Sequence, residues 1–224
     1  MPRFLRELDA YRTRGTPGES APVSTNRLEA FSDGVIAVAI TLLVLNIDLP
    51  DLKEHQSLGS GLIAQWPVYA AYVVSFLTIG IIWINHHVMI GRLRETDHAI
   101  LFLNLLLLMS IAILPFATNL MAAYLREANG QHLAAAVYGG AFLVMAVFFA
   151  TLQAHILLVK HDKLSQPLAL ERRRQILARS VSGVLPYLIA TVLAAVSSYA
   201  TLIICGALAV FYAFPIGSGG KEQI

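Results

Sequence analysis

The stretch Arg27-Leu-Glu-Ala-Phe31-Ser32-Asp33-Gly34-Val-Ile-Ala-Val38-Ala-Ile-Thr41-Leu42-Leu-Val-Leu45-Asn-Ile-Asp48 begins polar and turns apolar at Gly34. Between Gly34 and Leu45 its only polar side chain is Thr41. As a helix its 22 residues span about 33 Å, close to the thickness of a bilayer core. An acid in such a segment is costly unless it faces protein or water, so Asp33 marks this helix as a functional candidate.

The rest of the chain agrees with a membrane setting. Of its 224 residues, 57% are hydrophobic and 13% charged, where a soluble domain carries about a quarter charged residues. Mean hydropathy is +0.66. The reading is an all-α integral membrane protein. The net charge of +2 is too small to imply an acidic partner, and nothing suggests nucleic acid. The lone Cys205 excludes an intrachain disulfide and reads as a small hydrophobe. Residues 1–26 carry Arg3, Arg6, Arg12 and Arg14 with no apolar core of signal length, so they read as a flexible cytoplasmic arm and not as a cleaved signal.

Six apolar segments follow, at about 28–48, 67–90, 99–123, 132–159, 175–196 and 198–215. None alternates as a strand does, and helices satisfy their own backbone in lipid. The division is an arm (1–26), a six-helix channel domain (27–216) and a short cytoplasmic tail (217–224). With the N-terminus inside, fourteen of the sixteen Lys and Arg residues fall on inner segments, leaving Lys53 and Arg126 outside. That bias places both termini in the cytoplasm and the protein in the cell membrane. The outer connection 48–66 is mildly acidic and concentrates cations at an outer mouth. There is no internal repeat, phosphate-binding loop, dinucleotide fingerprint, nucleophile elbow or Thr-Val-Gly-Tyr-Gly filter. No nucleophile–base or metal constellation converges, so the chain does not read as an enzyme, and no cofactor is expected.

On a helical wheel Gly34, Val38, Thr41, Leu45 and Asp48 share one stripe, flanked by Leu42. Such a stripe can line a narrow pore, with apolar rings that constrict by dewetting and a Thr layer that replaces part of an ion's hydration. It can equally be a packing seam in which small Gly34 admits a neighbour. Periodicity alone leaves both open. Arg27, Ser32 and Asp33 at the cytoplasmic end could bind an ion or proton, or could lock the helix to its neighbours. The second helix ends in Trp83-Ile-Asn85-His86-His87, at the same depth by topology. Adjacent histidines point about 100° apart and do not easily share a metal, so they read as partners for Ser32 and Asp33, with pH sensing open. Pro115 should kink the third helix, freeing the Ser110 or Ile111 carbonyl. Gln153, His155 and Pro186 read as packing residues.

Arg27-x3-Phe31-Ser32-Asp33-Gly34, running into the apolar stripe, closely resembles the signature of the transmembrane protein 175 family. These are endosomal/lysosomal potassium channels and their prokaryotic relatives. Trp83-x2-His86-His87, Asn104 and Pro115-Phe116-x-Thr118 are also similar to that family. The resemblance implies one six-helix repeat per chain, no re-entrant pore loop, and a homotetramer whose first helices surround the pore. It implies a constriction or gate at Val38, Leu42 and Leu45 and a selectivity layer at Thr41. It implies a structural polar network of Arg27, Phe31, Ser32, Asp33, Trp83, His86, His87 and Asn104. Relatives usually carry Ile or Leu where this chain has Val38, so its constriction is expected to be slightly wider. The expected function is a potassium-permeable channel, with K+ and other monovalent cations passing and membrane lipid around the tetramer. The rival expectation is a proton-permeable channel or proton-coupled carrier using Asp33 and the His86/His87 pair.

Overall fold

The computed structural model describes residues 25–51 and 57–213. Most of the expected N-terminal arm, the C-terminal tail, and Lys53 and Glu54 of the outer connection lie outside the described residues. The described chain is helical throughout, apart from one isolated β-bridge between Leu93 and Leu164.

Helix α1 runs Thr25–Val44. A short α2 (Leu58–Ala64) leads into the long α3 (Trp66–Gly91). The third apolar segment forms α4 (His98–Ala112) and α5 (Leu114–Tyr124). Helix α6 (Gln131–Ala154) continues into a π-helical turn, His155–Val159. The fifth segment forms α7 (Leu170–Ser182) and α8 (Val184–Leu193), and the sixth forms α9 (Ser198–Ala213). Four of these spans are long and apolar enough to cross a bilayer: Trp66–Gly91, His98–Tyr124, Gln131–Val159 and Leu170–Leu193. Ser198–Ala213 is apolar but shorter. Helix α1 has 20 residues, about 30 Å at 1.5 Å per residue, with Arg27, Glu29 and Asp33 in its first half. The chain is thus a multi-pass membrane protein.

The element boundaries follow local chemistry. Ser57 caps α2 by accepting from the Ser60 amide at 3.2 Å, and Asp97 caps α4 by accepting from the Ile100 amide at 2.9 Å. Pro67 and Pro115 sit in the first turns of α3 and α5, where a missing N–H costs nothing. The third segment is therefore broken at Ile113, just before Pro115. Gly130 precedes α6 at φ +100°, and a Cβ there would come within 2.9 Å of the Tyr124 ring. Gly139 lets α8 approach α6, since its Cβ would meet Thr191 Oγ1 at 3.0 Å and Thr191 Cα at 3.2 Å.

Three boundaries differ from expectation. The first helix stops at Val44, not at residue 48. Leu45, Asn46 and Ile47 instead donate to carbonyls three residues back, at 3.1–3.3 Å, a tightened final turn. The Asn46 side chain leaves the helix axis and donates to Pro115 O at 3.1 Å. Leu45 therefore lies one residue past the helix, and Asp48 is off the stripe. Residues 58–64 of the outer connection form α2. The fifth segment begins at Leu170, not 175, and its first part is a polar helix with no buried residue, broken from α8 at Gly183.

Helix α6 occupies the centre. It packs against α4, α5, α7, α8 and α9, and Phe142 stacks edge-on with Tyr138 (4.8 Å) and face-on with Tyr187 (5.7 Å). Helix α1 packs principally on α3, α4 and α5 at one side of the bundle. The α3–α4 and α6–α7 connections are stapled together. Arg94 N donates to Lys163 O at 2.9 Å and Ser165 N to Arg92 O at 2.8 Å. Lys160 meets Asp97 at 2.9 Å and Lys163 meets Glu95 at 3.3 Å.

Candidate functional site

Helix α1 divides into two faces. Leu28, Ser32, Ile36, Ala39 and Leu43 are buried, at spacings of 4, 4, 3 and 4. The opposite face is bare. Val38 is 57% exposed, Leu42 42% and Leu45 71%, and Thr41 is exposed between them. Apolar side chains in that state in a membrane helix face lipid or a partner subunit. The Thr41 hydroxyl donates to Val38 O at 2.9 Å. Its proton is thus committed to the helix, so its lone pairs face outward, as an approaching cation requires.

An apolar groove of about 530 Å³ runs beside this face, with Phe31, Gly34, Val38 and Leu42 on α1 and Ala112 on α4 among its walls. A Cβ on Gly34 would meet no atom within 4 Å. The small residue therefore admits no neighbour within the described protomer. Phe31, expected in the polar network, is 56% exposed and stands in this groove. Its ring has no polar atom to share, so its place on the bare face follows from its phase on the helix.

At the base of α1 the polar residues form two systems. The first is buried and has a direction. Asn104 Nδ2 donates to Ser32 Oγ at 3.0 Å, and Ser32 Oγ donates to Leu28 O at 2.8 Å. Asn104 Oδ1 then accepts from His86 Nε2 at 2.7 Å, which assigns the Nε2–H tautomer. His86 Nδ1 is buried without a hydrogen-bond partner among the described residues. This chain of bonds ties α3 and α4 to the backbone of α1.

The second system lies closer to solvent. Trp83 Nε1 donates to Asp33 Oδ1 at 2.8 Å, and His87 Nδ1 meets Glu29 Oε1 at 2.7 Å. Trp83 and His87, four apart on α3, pack ring against ring at 6.2 Å. They face Glu29 and Asp33, four apart on α1, so the helices close on each other as a two-by-two zipper. Glu29, Asp33 and His87 bring three ligand-type atoms within 4.8 Å of one another, but each residue already has a polar partner here. Arg27 is exposed and has no hydrogen-bond or ion-pair partner among the described residues, so it stands outside both systems.

Sequence reasoning missed Glu29. The signal was available: Glu29 and Asp33 share the four-residue spacing of Trp83 and His87. It also missed a buried hydroxyl cluster higher in the bundle. Ser75 Oγ lies 3.1 Å from Tyr138 Oη and 2.8 Å from Thr118 Oγ1, which is itself 2.7 Å from Leu114 O. The Thr118 hydroxyl has both Ser75 Oγ and Leu114 O within reach of its one proton, and Ser75 and Tyr138 share a further hydrogen bond, so every hydroxyl of the cluster has a partner.

The fold and this site define a helical, multi-pass membrane protein whose first helix has a bare apolar face above a polar base. The family model for the endosomal/lysosomal potassium channel TMEM175 matches residues 27–115, which hold both the stripe and the network. A relative from Streptomyces collinus, named as a potassium channel, is 45% identical over 193 residues, covering 85% of this chain and 92% of its own. A crystal structure described as a lysosomal potassium-selective channel TMEM175 homolog from Chamaesiphon minutus superposes with a TM-score of 0.74 at 39% identity. It covers 84% of this chain and 96% of that one. The TMEM175 of Mus musculus, named as an endosomal/lysosomal proton channel, is 38% identical over 119 residues, or 24% of its length. The chain belongs to the TMEM175 family.

Proposed function

We propose that the protein is a potassium-permeable cation channel of the cell membrane, conducting passively through a central pore. Four chains assemble so that the bare faces of their α1 helices surround the axis. All six apolar segments cross the bilayer, with both termini cytoplasmic and residues 27–216 as the channel unit. Val38, Leu42 and Leu45 form apolar constrictions, and Thr41 supplies a ring of oxygens. The Ser32–Asn104–His86 chain and the Glu29–Asp33–Trp83–His87 zipper fix the angle of α1 to the axis.

The observation that carries this reading is the division of α1. Its polar base is bonded inward, while Val38, Thr41 and Leu42 stand exposed on an apolar face. An uncharged stripe suits an ion that is not held tightly. The proton-coupled alternative draws no support from the buried chain. That chain ends on the Leu28 carbonyl, which accepts a hydrogen bond but passes no proton onward.

The test is the reversal potential of the purified protein in planar bilayers under opposed potassium and sodium gradients. A potassium-selective shift with unitary currents is expected. Strict coupling to a pH gradient, without unitary currents, would overturn the proposal. Val38→Ala and Val38→Asn should each raise unitary conductance, because a smaller or polar ring is easier to wet. Unchanged currents in both would remove Val38 from the constriction.

A further inference from the structure

Helices α3 and α9 cross tightly near one end of the bundle. Trp66 and Tyr199 stack there at 6.3 Å, and a Cβ on Gly206 would sit 3.2 Å from Val74 Cγ2. Beyond that crossing a cavity of about 640 Å³ opens between the later half of α3, the later half of α6, the α7–α8 break and the end of α9. This is within the size range of pockets that take amphiphilic ligands. Its floor is apolar, with Ile82, Ala146, Phe149 and Leu208. Its rim carries Arg92, Arg172 and Arg179, and no Asp or Glu is among the lining residues.

The rim is built by α7. Arg172, Gln175, Ile176, Arg179 and Gly183 all line the cavity and recur at helical spacing on one face. The other two arginines of α7 are committed elsewhere. Arg173 donates from Nη1 to Leu157 O at 3.1 Å, and Arg174 pairs with Glu171 at 3.6 Å. The helix thus turns two cations into the cavity and spends two on protein contacts. At the mouth, Val88 is 46% exposed and Phe211 53%. Exposed apolar side chains at the mouth suit contact with acyl chains.

We propose that this cavity is a binding site for an anionic membrane phospholipid. The phosphate sits among Arg172, Arg179 and Arg92, and an acyl chain lies along Ile82, Phe149 and Leu208. Clustered cations at the membrane surface select anionic headgroups, and guanidinium groups pair well with phosphate oxygens. A soluble phosphate would use the rim but not the apolar floor.

The test is native mass spectrometry of the detergent-purified full-length channel, titrated with dioleoyl phosphatidylglycerol or with dioleoyl phosphatidylcholine. Wild type should retain the first in preference to the second. R172Q/R179Q should lose that preference by about tenfold or more, since each interfacial cation contributes roughly fivefold. R172K/R179K should keep it within about threefold, because lysine still supplies a point charge for phosphate. R174Q removes one charge from the same helix outside the cavity and should change binding by less than about twofold. Equal retention of the two lipids overturns the proposal. So does an equal loss in R174Q, which would indicate general surface charge. Millimolar inorganic phosphate that displaces the lipid would assign the rim to a free anion and overturn it as well.

Discussion

Helix α1, with 20 residues, and helix α6, with 24, are both apolar over most of their length, but the protomer treats them in opposite ways. Helix α6 is wrapped by five neighbours and buries eleven residues, including Tyr138 and Phe142. Helix α1 sits at the side, buries five, and leaves Val38 and Leu42 uncovered, as is Leu45 just past its end. Between lipid and protein there is no water to drive apolar faces together, so burial follows fit and polar pairing. Helix α6 is held by fit: small Gly139 against Thr191, and stacked rings at Phe142. Helix α1 is held at its base by polar pairs and above it by one buried stripe, Ile36, Ala39 and Leu43, while its other face stays bare. The most buried helix therefore organises the protomer, and α1 keeps one apolar face bare.

This contrast predicts where substitutions act. Phe142→Ala should have the largest effect, about 3 kcal/mol of lost stability. That is the low end for a deleted core aromatic, because lipid replaces water as the competing medium. Thermal unfolding of the purified protein should fall well below wild type, while ion selectivity of surviving channels stays unchanged. A selectivity change with normal melting would break the assignment of α6 to architecture.

Asn104→Ala tests the base of α1. It removes the donor to Ser32 and the acceptor of His86 together, leaving buried polar atoms unpaired at a cost of about 1–3 kcal/mol. The melting temperature should fall, and the fall should be much smaller in a Ser32→Ala background, where part of the chain is already gone. Additive losses in the double variant would mean that the chain does not act as one unit.

The helices themselves were legible because lipid leaves few alternatives: apolar runs, Pro67, Pro115 and the Lys and Arg distribution mark the segments. The exact end of α1 was not. Its apolar pattern continues through Ile47, but Asn46 finds an acceptor on Pro115, 69 residues away, and the helix ends early. Ser32, His86 and Asn104 could be singled out, but not the order of their bonds. That order depends on which face of α4 meets α1. Glu29 was overlooked because its partner, His87, lies on another helix. Phe31 was expected in the polar network from the family resemblance, while its helical phase turns it to the groove.

Thr41→Val sharpens the other half of the comparison, with a smaller expected effect. The shape is kept and the outward oxygen is lost. If the ring replaces part of the ion's hydration, the potassium-to-sodium permeability ratio should fall about fivefold, near 1 kcal/mol for one exchanged polar contact. The shift in reversal potential measures this, and melting should not move. An unaltered reversal potential would take Thr41 out of the selectivity layer.

The smallest effect belongs to the staple that keeps α4 in register beneath α1. Asp97 is partly desolvated, which pushes its carboxyl up. The Ile100 amide and Lys160 outweigh that and leave it below the ordinary carboxylate range. A depressed carboxyl stabilises the fold above its unfolded value, about 3.9, and loses that contribution as pH falls through the lower folded value. Asn caps a helix as well as Asp does, so Asp97→Asn isolates the charge, while Asp97→Ala also removes the cap. Near neutral pH the Asn variant should lose only a few tenths of a kcal/mol, because the pair with Lys160 is partly exposed. The Ala variant should lose about 1 kcal/mol. Melting curves taken downward from pH 6 should bring wild type and Asp97→Asn progressively together as the folded carboxylate protonates, while Asp97→Ala stays lower. If the Asn variant instead melts at the wild-type temperature across the whole range, the ion pair contributes nothing and the cap alone positions α4.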